Sequence, residues 1–194
     1  RHGESEYNAE RALVKDGKRK HYSEKAKQTR NADILLTKKG IEQARATGEF
    51  LKKHYKNFDV VFVSPFKRAE QTAEYILEAW GGKKPRIVIE DRVREKEFGV
   101  FHAITREEIK KKYPDWHALR EIEDKYYFRP PGGESYPDIA LRLHSFIGTL
   151  TCDWHRQNVM IAAHSSILLA FHKLMTRMTE AEVLDLDHRN EIKN

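Results

Sequence analysis

Apolar residues in this chain recur in two alternating rhythms, one of period near 3.6 and one of short continuous runs. Thr37 stands before Ile41, Ala44, Gly48, Leu51 and Tyr55, a spacing that predicts an N-capped helix with one buried stripe beneath a charged face. The run Asp59-Val60-Val61-Phe62-Val63 predicts a short strand buried on both faces, ending at Ser64-Pro65. Serine and proline suit an N-cap and a first helical position, and Ala69, Ala73, Ile76, Leu77 and Trp80 carry that helix to the breaker Gly81-Gly82. Residues 86–90 predict a second strand. A long helix from Ser135 buries Ile139, Leu143, Phe146, Ile147, Leu150 and Trp154, with Cys152 near the stripe. Residues 158–163 predict a third buried strand, stopped by His164-Ser165-Ser166 and followed by an apolar helix over 167–175.

This βα alternation predicts an α/β fold, a three-layer sandwich with a mostly parallel central sheet flanked by helices. Two stretches lack a period. Residues 10–33 are polar and lysine-rich and read as an irregular surface loop; residues 91–131 mix turns with brief helices such as 105–113. We read residues 1–194 as a single domain. Its polar opening turn, with no strand before it, and its uncapped end at 190–194 read as the loss of a first strand and a C-terminal segment.

Composition narrows the class. With 39% hydrophobic and 34% charged residues, the chain is too apolar for disorder and too interrupted by charge for a membrane span. The single cysteine excludes an intramolecular disulfide and a multi-cysteine zinc site, and fits a reducing cytoplasm. A net charge of +6 suits an anionic partner. The basic runs Lys18-Arg19-Lys20-His21 and Lys110-Lys111-Lys112 read as solvated faces rather than as a nucleic-acid surface. Oligomeric state is not set by the sequence.

In an open α/β sheet, ligands collect beyond the carboxyl ends of the strands, where helix N-termini also point. Ser64 occupies one such turn, with Arg68 a helical turn further on, and His164 occupies another. His2 would follow a first strand. With Arg1, these side chains supply ring donors and guanidinium forks fit to hold a phosphate dianion.

The residues at these turns form an ordered set: Arg1-His2-Gly3-Glu4-Ser5, Leu36-Thr37-Lys38-Lys39-Gly40, Ser64-Pro65-Phe66-Lys67-Arg68-Ala69, Arg94-Glu95-Lys96-Glu97-Phe98-Gly99, Pro131-Gly132-Gly133-Glu134-Ser135 and Ala163-His164. The set resembles the histidine phosphatase superfamily, the phosphoglycerate mutase-like group, almost end to end. That resemblance implies a phosphomonoesterase acting on a phosphorylated small molecule or phosphoprotein, without metal or cofactor. Neutral His2 would attack phosphorus in line, forming a phosphohistidine that water then hydrolyses. Arg1, Arg68 and His164 would bind the phosphoryl oxygens, and Asn8 would be a neutral donor to phosphate or substrate. A carboxylic acid of the 95–99 turn would protonate the leaving oxygen; Glu95, four residues before Gly99, is preferred and Glu97 is the alternative. Nearby arginines should keep His2 neutral, and a bound dianion should raise the pKa of the acid.

The chain departs from the family pattern in two places. Ser165 and Ser166 follow His164 where the family usually has glycine; their hydroxyls either bind the ligand or cap the helix, and capping is favoured. The acid turn keeps only the frame of the mutase pattern, and residues 10–33 replace the mutase glycine–tryptophan segment. Phosphatase is therefore favoured over phosphoglycerate mutase, and a non-catalytic phosphate-recognition module is a third reading. Eight further histidines carry no motif; of these, His102 falls just past the acid turn, at the expected pocket mouth. The sequence leaves the placement of His188 and Arg189 open. Specificity is expected in residues 10–33 and 91–131.

Overall fold

Ser5 opens helix α1 (Glu6–Lys15) through a capping box with Asn8, and Ser23 caps α2 (Glu24–Gln28). A 3₁₀ turn at Asn31–Asp33 leads to α3 (Lys38–His54), which Thr37 caps, then to β1 (Val60–Val63), α4 (Lys67–Trp80) and β2 (Arg86–Ile89). Two further 3₁₀ turns precede α5 (Arg106–Lys112) and α6 (Pro114–Tyr127). The chain ends with α7 (Tyr136–Asp153), β3 (Val159–Ala162), α8 (Ser165–Thr176) and α9 (Glu180–Arg189). This computed structural model describes residues 1–189, so the end predicted at 190–194 lies outside the described residues.

The sheet is parallel, in the order β2-β1-β3, with Val60 opposite Arg86 on one side and Val159 on the other. Every residue of β1 is buried, and its two faces feed different layers. Val60 and Phe62 join Ile139, Leu143 and Phe146 of α7 and Ile167 of α8. Val61 and Val63 join Ala69, Ala73 and Trp80 of α4. The strand period of two thus builds the predicted three layers, each such side chain contributing about 1.5–3 kcal/mol of burial.

α3 packs on α4 through Gly40, Ala44 and Gly48, which present almost no side chain. A Cβ on Gly48 would stand 2.4 Å from the Ile76 carbonyl oxygen, and one on Gly40 would stand 2.0 Å from that of Glu4. The second contact locks the amino-terminal turn onto α3. Tyr55, expected in the stripe, lies past the helix end and is exposed.

Several local expectations are corrected. Residues 10–33 hold most of α1, all of α2 and the 3₁₀ turn, not an irregular loop. No residue of α1 or α2 is fully buried, so side-chain caps and partial packing make these helices without an apolar stripe to betray them. α6 also escaped prediction, because only Tyr126 along it is buried. Ser64 is not an N-cap: α4 starts two residues later, from Phe66, and the serine hydroxyl turns to His164 instead. Cys152, expected near the α7 stripe, is exposed.

Gly40→Ala should cost about 1–3 kcal/mol, the usual penalty for forcing atoms into a packed interior. Urea unfolding measures it; an unchanged midpoint would show that the turn and α3 separate freely.

Candidate active site

The extended segment 1–5 runs beside the carboxyl end of β3, where the His2 amide donates to the Ala163 carbonyl at 2.9 Å. Gly3 N–H donates to Thr72 Oγ1 at 3.1 Å, and Thr72 in turn donates to the Arg68 carbonyl at 2.6 Å. Thr37 N–H donates to the Glu4 carbonyl at 2.9 Å, and Gln43 accepts the Glu4 amide at 2.8 Å. β3, α3 and α4 therefore hold this turn from three sides.

Its central side chain is His2, which is 3% exposed. Nδ1 lies 2.7 Å from the Gly3 carbonyl oxygen, which can only accept, so the ring proton sits on Nδ1 and Nε2 keeps its lone pair. Arg68 Nε donates to that Nε2 at 3.3 Å, while its Nη1 is held by the Asn31 carbonyl at 2.6 Å. Burial, then the Arg68 charge, hold the His2 pKa well below the usual histidine value.

His164, fully buried, meets His2 edge-on with ring centroids 5.0 Å apart. Its Nε2 is 2.7 Å from the buried Ser64 hydroxyl, whose proton has no other acceptor among its partners. The remaining proton of neutral His164 is then on Nδ1, which has no hydrogen-bond partner among the described residues and faces Glu95 Oε2 at 3.6 Å. Burial and the same Arg68 charge also push the His164 pKa well down. Arg1, half-buried, lines the same space, and burial lowers its pKa against the opposing pull of Glu95.

The acid turn is anchored from outside the pocket. Arg142 of α7 donates to both carboxylate oxygens of Glu134, at 3.0 and 3.1 Å, and to the Arg92 carbonyl at 2.5 Å. Glu134 also accepts from Arg94 and from the Glu97 amide. This network leaves Glu95 aimed at the histidines, where its Oε1 accepts from Lys96 N–H and from the Ser166 hydroxyl. Glu97 stands outside the cavity lining, and burial and the neighbouring Glu134 raise its pKa.

His2, Glu95 and Arg68 open into a cavity of about 300 Å³, lined also by Asn8 and Ser165. Asn8 Oδ1 is engaged by Ser5 in the capping box. His164 itself is the N-terminal cap residue of α8 but makes no side-chain cap, so Ser165 is the first helical residue and the expected serine cap is absent. His102 reaches the pocket wall and stacks on Tyr7, whereas His188 is exposed. The outer wall holds residues with no sequence motif: Arg11, Arg106, Arg120 and Lys125, with Lys96 from the acid turn itself. Against seven cationic side chains the lining has two carboxylates, Glu95 and Asp187, and Asp187 pairs with Lys125. Lys125 enters from a kink at Asp124, whose φ of 58° and ψ of 178° are foreign to helices; the Asp124 carboxylate caps the next turn through Tyr126 N–H at 2.5 Å. His2, Glu95 and His164 present ligand atoms within 4.8 Å of one another, close enough to share a cation. Arg68 donates into that very point, so the electrostatics select an anion.

An anion pocket with a free imidazole nitrogen, at the carboxyl edge of a parallel sheet, defines a phosphoryl-handling α/β protein. The chain belongs to the histidine phosphatase superfamily (branch 1), whose family model matches residues 1–191. It is 33% identical to a 2,3-bisphosphoglycerate-dependent phosphoglycerate mutase of Methylobacterium radiotolerans, over 99% of this chain and 84% of that protein. It is 30% identical to a fructose-2,6-bisphosphatase of Saccharomyces cerevisiae, over 94% of this chain and 34% of that protein. In fold it resembles the alpha-ribazole phosphatase from Shigella flexneri, with a TM-score of 0.73, 24% identity, and coverage of 95% of this chain and 81% of that one.

Both buried imidazoles have depressed folded pKa values, so below about pH 6.5 the unfolded chain binds more protons than the native one. Stability is complete above that pH and falls as pH drops below it. Urea titrations between pH 7.5 and 5 should show this loss, reduced by about half in His2→Gln; equal slopes in both proteins would refute the assignment.

Proposed function

We propose that this enzyme is a metal-independent phosphomonoesterase that works through a phosphohistidine on His2. The observation that carries the reading is the His2 tautomer, which points an unprotonated Nε2 into the cationic cavity beside Arg68. As the Nε2–P bond forms, the P–O bond to the leaving group breaks, and Glu95 delivers a proton to the departing oxygen. Glu95, now a carboxylate, takes a proton from water as the water oxygen attacks phosphorus; the N–P bond breaks and inorganic phosphate leaves. Arg1, Arg68 and the Nδ1–H of His164 stabilise the equatorial oxygens throughout, and Asn8 and Ser165 contact the substrate side.

The outer wall supports a narrower substrate class. Even with Lys125 paired to Asp187, Arg11, Arg120 and Lys96 exceed what one phosphoryl group needs, so the substrate carries a second anionic group. A cavity of about 300 Å³ suits a phosphorylated small molecule better than a phosphoprotein surface. Two relatives, the mutase and the bisphosphatase, are named for compounds bearing two phosphates. No helix among the described residues is long and apolar enough to cross a membrane. A lone free cysteine fits action in the cytoplasm.

The mutase relative favours a second reading, in which the phosphoryl group returns to another oxygen of the substrate. Phosphoglycerate interconversion faster than phosphate release would select it.

His2→Ala should abolish hydrolysis of an aryl phosphate, and Glu95→Gln should slow it by about 10²–10⁴-fold. Full turnover by His2→Ala, with no acid-labile phosphoenzyme in the parent, would overturn the mechanism. Arg120→Ala should raise KM for a bisphosphorylated substrate but leave aryl phosphate turnover unchanged. Burial, with neighbouring positive charges, pushes the pKa values of both Lys96 and Lys125 down to about 8, so above pH 8 both cations are lost and KM for the bisphosphorylated substrate should climb. A KM flat from pH 7 to 9.5 would remove Lys96 from substrate binding.

A further inference from the structure

Among the described residues two hydrogen bonds reach the Glu95 carboxylate, and both end on the same oxygen. Oε1 accepts from Lys96 N–H at 2.9 Å and from the Ser166 hydroxyl. Oε2 accepts neither and faces Nδ1 of His164 at 3.6 Å, a gap too wide for a hydrogen bond. The two oxygens of this carboxylate are therefore unequal. The Lys96 amide belongs to the neighbouring residue and travels with the acid turn. Ser166 stands on the first turn of α8, one residue before Ile167, which is 1% exposed, so its hydroxyl is mounted on a helix fixed in the core. From α7, Arg142 donates to the Glu95 backbone carbonyl at 3.4 Å.

A glutamate keeps considerable rotamer freedom, and turning its last torsion exchanges the two oxygens. Among the described residues Ser166 supplies the only hydrogen bond from another element that resists this exchange. The arrangement suits both protonation states. A neutral acid with its proton on Oε2 keeps a carbonyl-like Oε1 that still accepts both donors, and a carboxylate accepts them as well. A proton on Oε1 would instead collide with two donors. Ser166 has one proton to give and gives it to Glu95, which leaves none for a phosphoryl oxygen.

We propose that Ser166 is a positioning residue for the general acid: by holding Oε1 it makes Oε2 the atom that hands a proton to the leaving oxygen and later takes one from water. The inference deepens the hydrolysis proposed above and rests on the acid role of Glu95 in it. In the first half-reaction the Oε2 proton passes to the departing oxygen as the P–O bond breaks. In the second, Oε2 regains a proton from the water whose oxygen bonds to phosphorus as the N–P bond breaks. The Ser166 hydroxyl and the Lys96 amide keep their protons throughout.

Leaving-group dependence separates this role from a merely structural one. Ser166→Ala should lower kcat/KM for an alkyl phosphate, whose leaving oxygen needs a proton, by about 10–100-fold, the usual worth of a hydrogen bond to a charged group. For dinitrophenyl phosphate, which departs as a stable anion, the loss should shrink to within about two-fold. Ser166→Thr keeps the hydroxyl and should recover most of the alkyl phosphate rate. In a Glu95→Gln background Ser166→Ala should cost nothing further, because the proton it positions is gone. The circular dichroism spectrum and inhibition by inorganic phosphate should match the parent in Ser166→Ala. Equal losses on both esters, a further loss in Glu95→Gln, or an alanine variant as active as the parent on the alkyl ester would each overturn the inference. Full alkyl phosphate turnover by Glu95→Gln would instead remove the acid assignment, and the inference with it.

Discussion

The active centre of this protein is governed by an unpaid electrostatic debt. Arg68 is buried with its guanidinium against the lone pair of a neutral histidine and a backbone carbonyl, and among the described residues no carboxylate pairs with it directly. A buried cation so placed is costly until an anion neutralises it. The same burial makes the pocket favour an anion and holds the pKa of both imidazoles down. One constraint thus serves affinity, nucleophile and tautomer together, and the surrounding fold is arranged to bear it.

The fold bears that strain through backbone contacts. Segment 1–5 is fixed by β3 on one side and by α3 and α4 on the others, and Thr72 links the Gly3 amide to the Arg68 carbonyl. His2 and Arg68 are therefore held in one framework. Glu95 is mounted separately, on a turn tied through Arg142 and Glu134 to α7, and meets the pair across the mouth of α8 through Ser166.

Legibility in the sequence followed burial. β1, α4 and α7 are buried deeply enough for their apolar periods to be visible, and β3, though only partly buried, is a continuous apolar run. α4 carries Arg68, and the end of β3 leads into His164 and receives the segment that holds His2. α1 and α6 were not visible, because polar residues surround them and their stability comes from caps and a few partial contacts. Arg11, Arg120 and Lys125 sit on these two helices, so the outer wall was hidden with them. Ser64-Pro65 has the signature of a helix start, yet the hydroxyl was claimed by a histidine a hundred residues away, a demand no local pattern records. Glu95 and Glu97 differ only by which one Glu134 leaves free to face the histidines, and that choice is made in three dimensions.

The Asp124 kink gives this architecture an evolutionary degree of freedom. It aims Lys125 at the cavity from a helix that contributes nothing to the inner imidazole pair, in a conformation set by one carboxylate cap. Lengthening, shortening or relaxing that bend would relocate a charge by ångströms while the reacting atoms stayed where they are. Lineages could thus diverge in diet without relearning their chemistry.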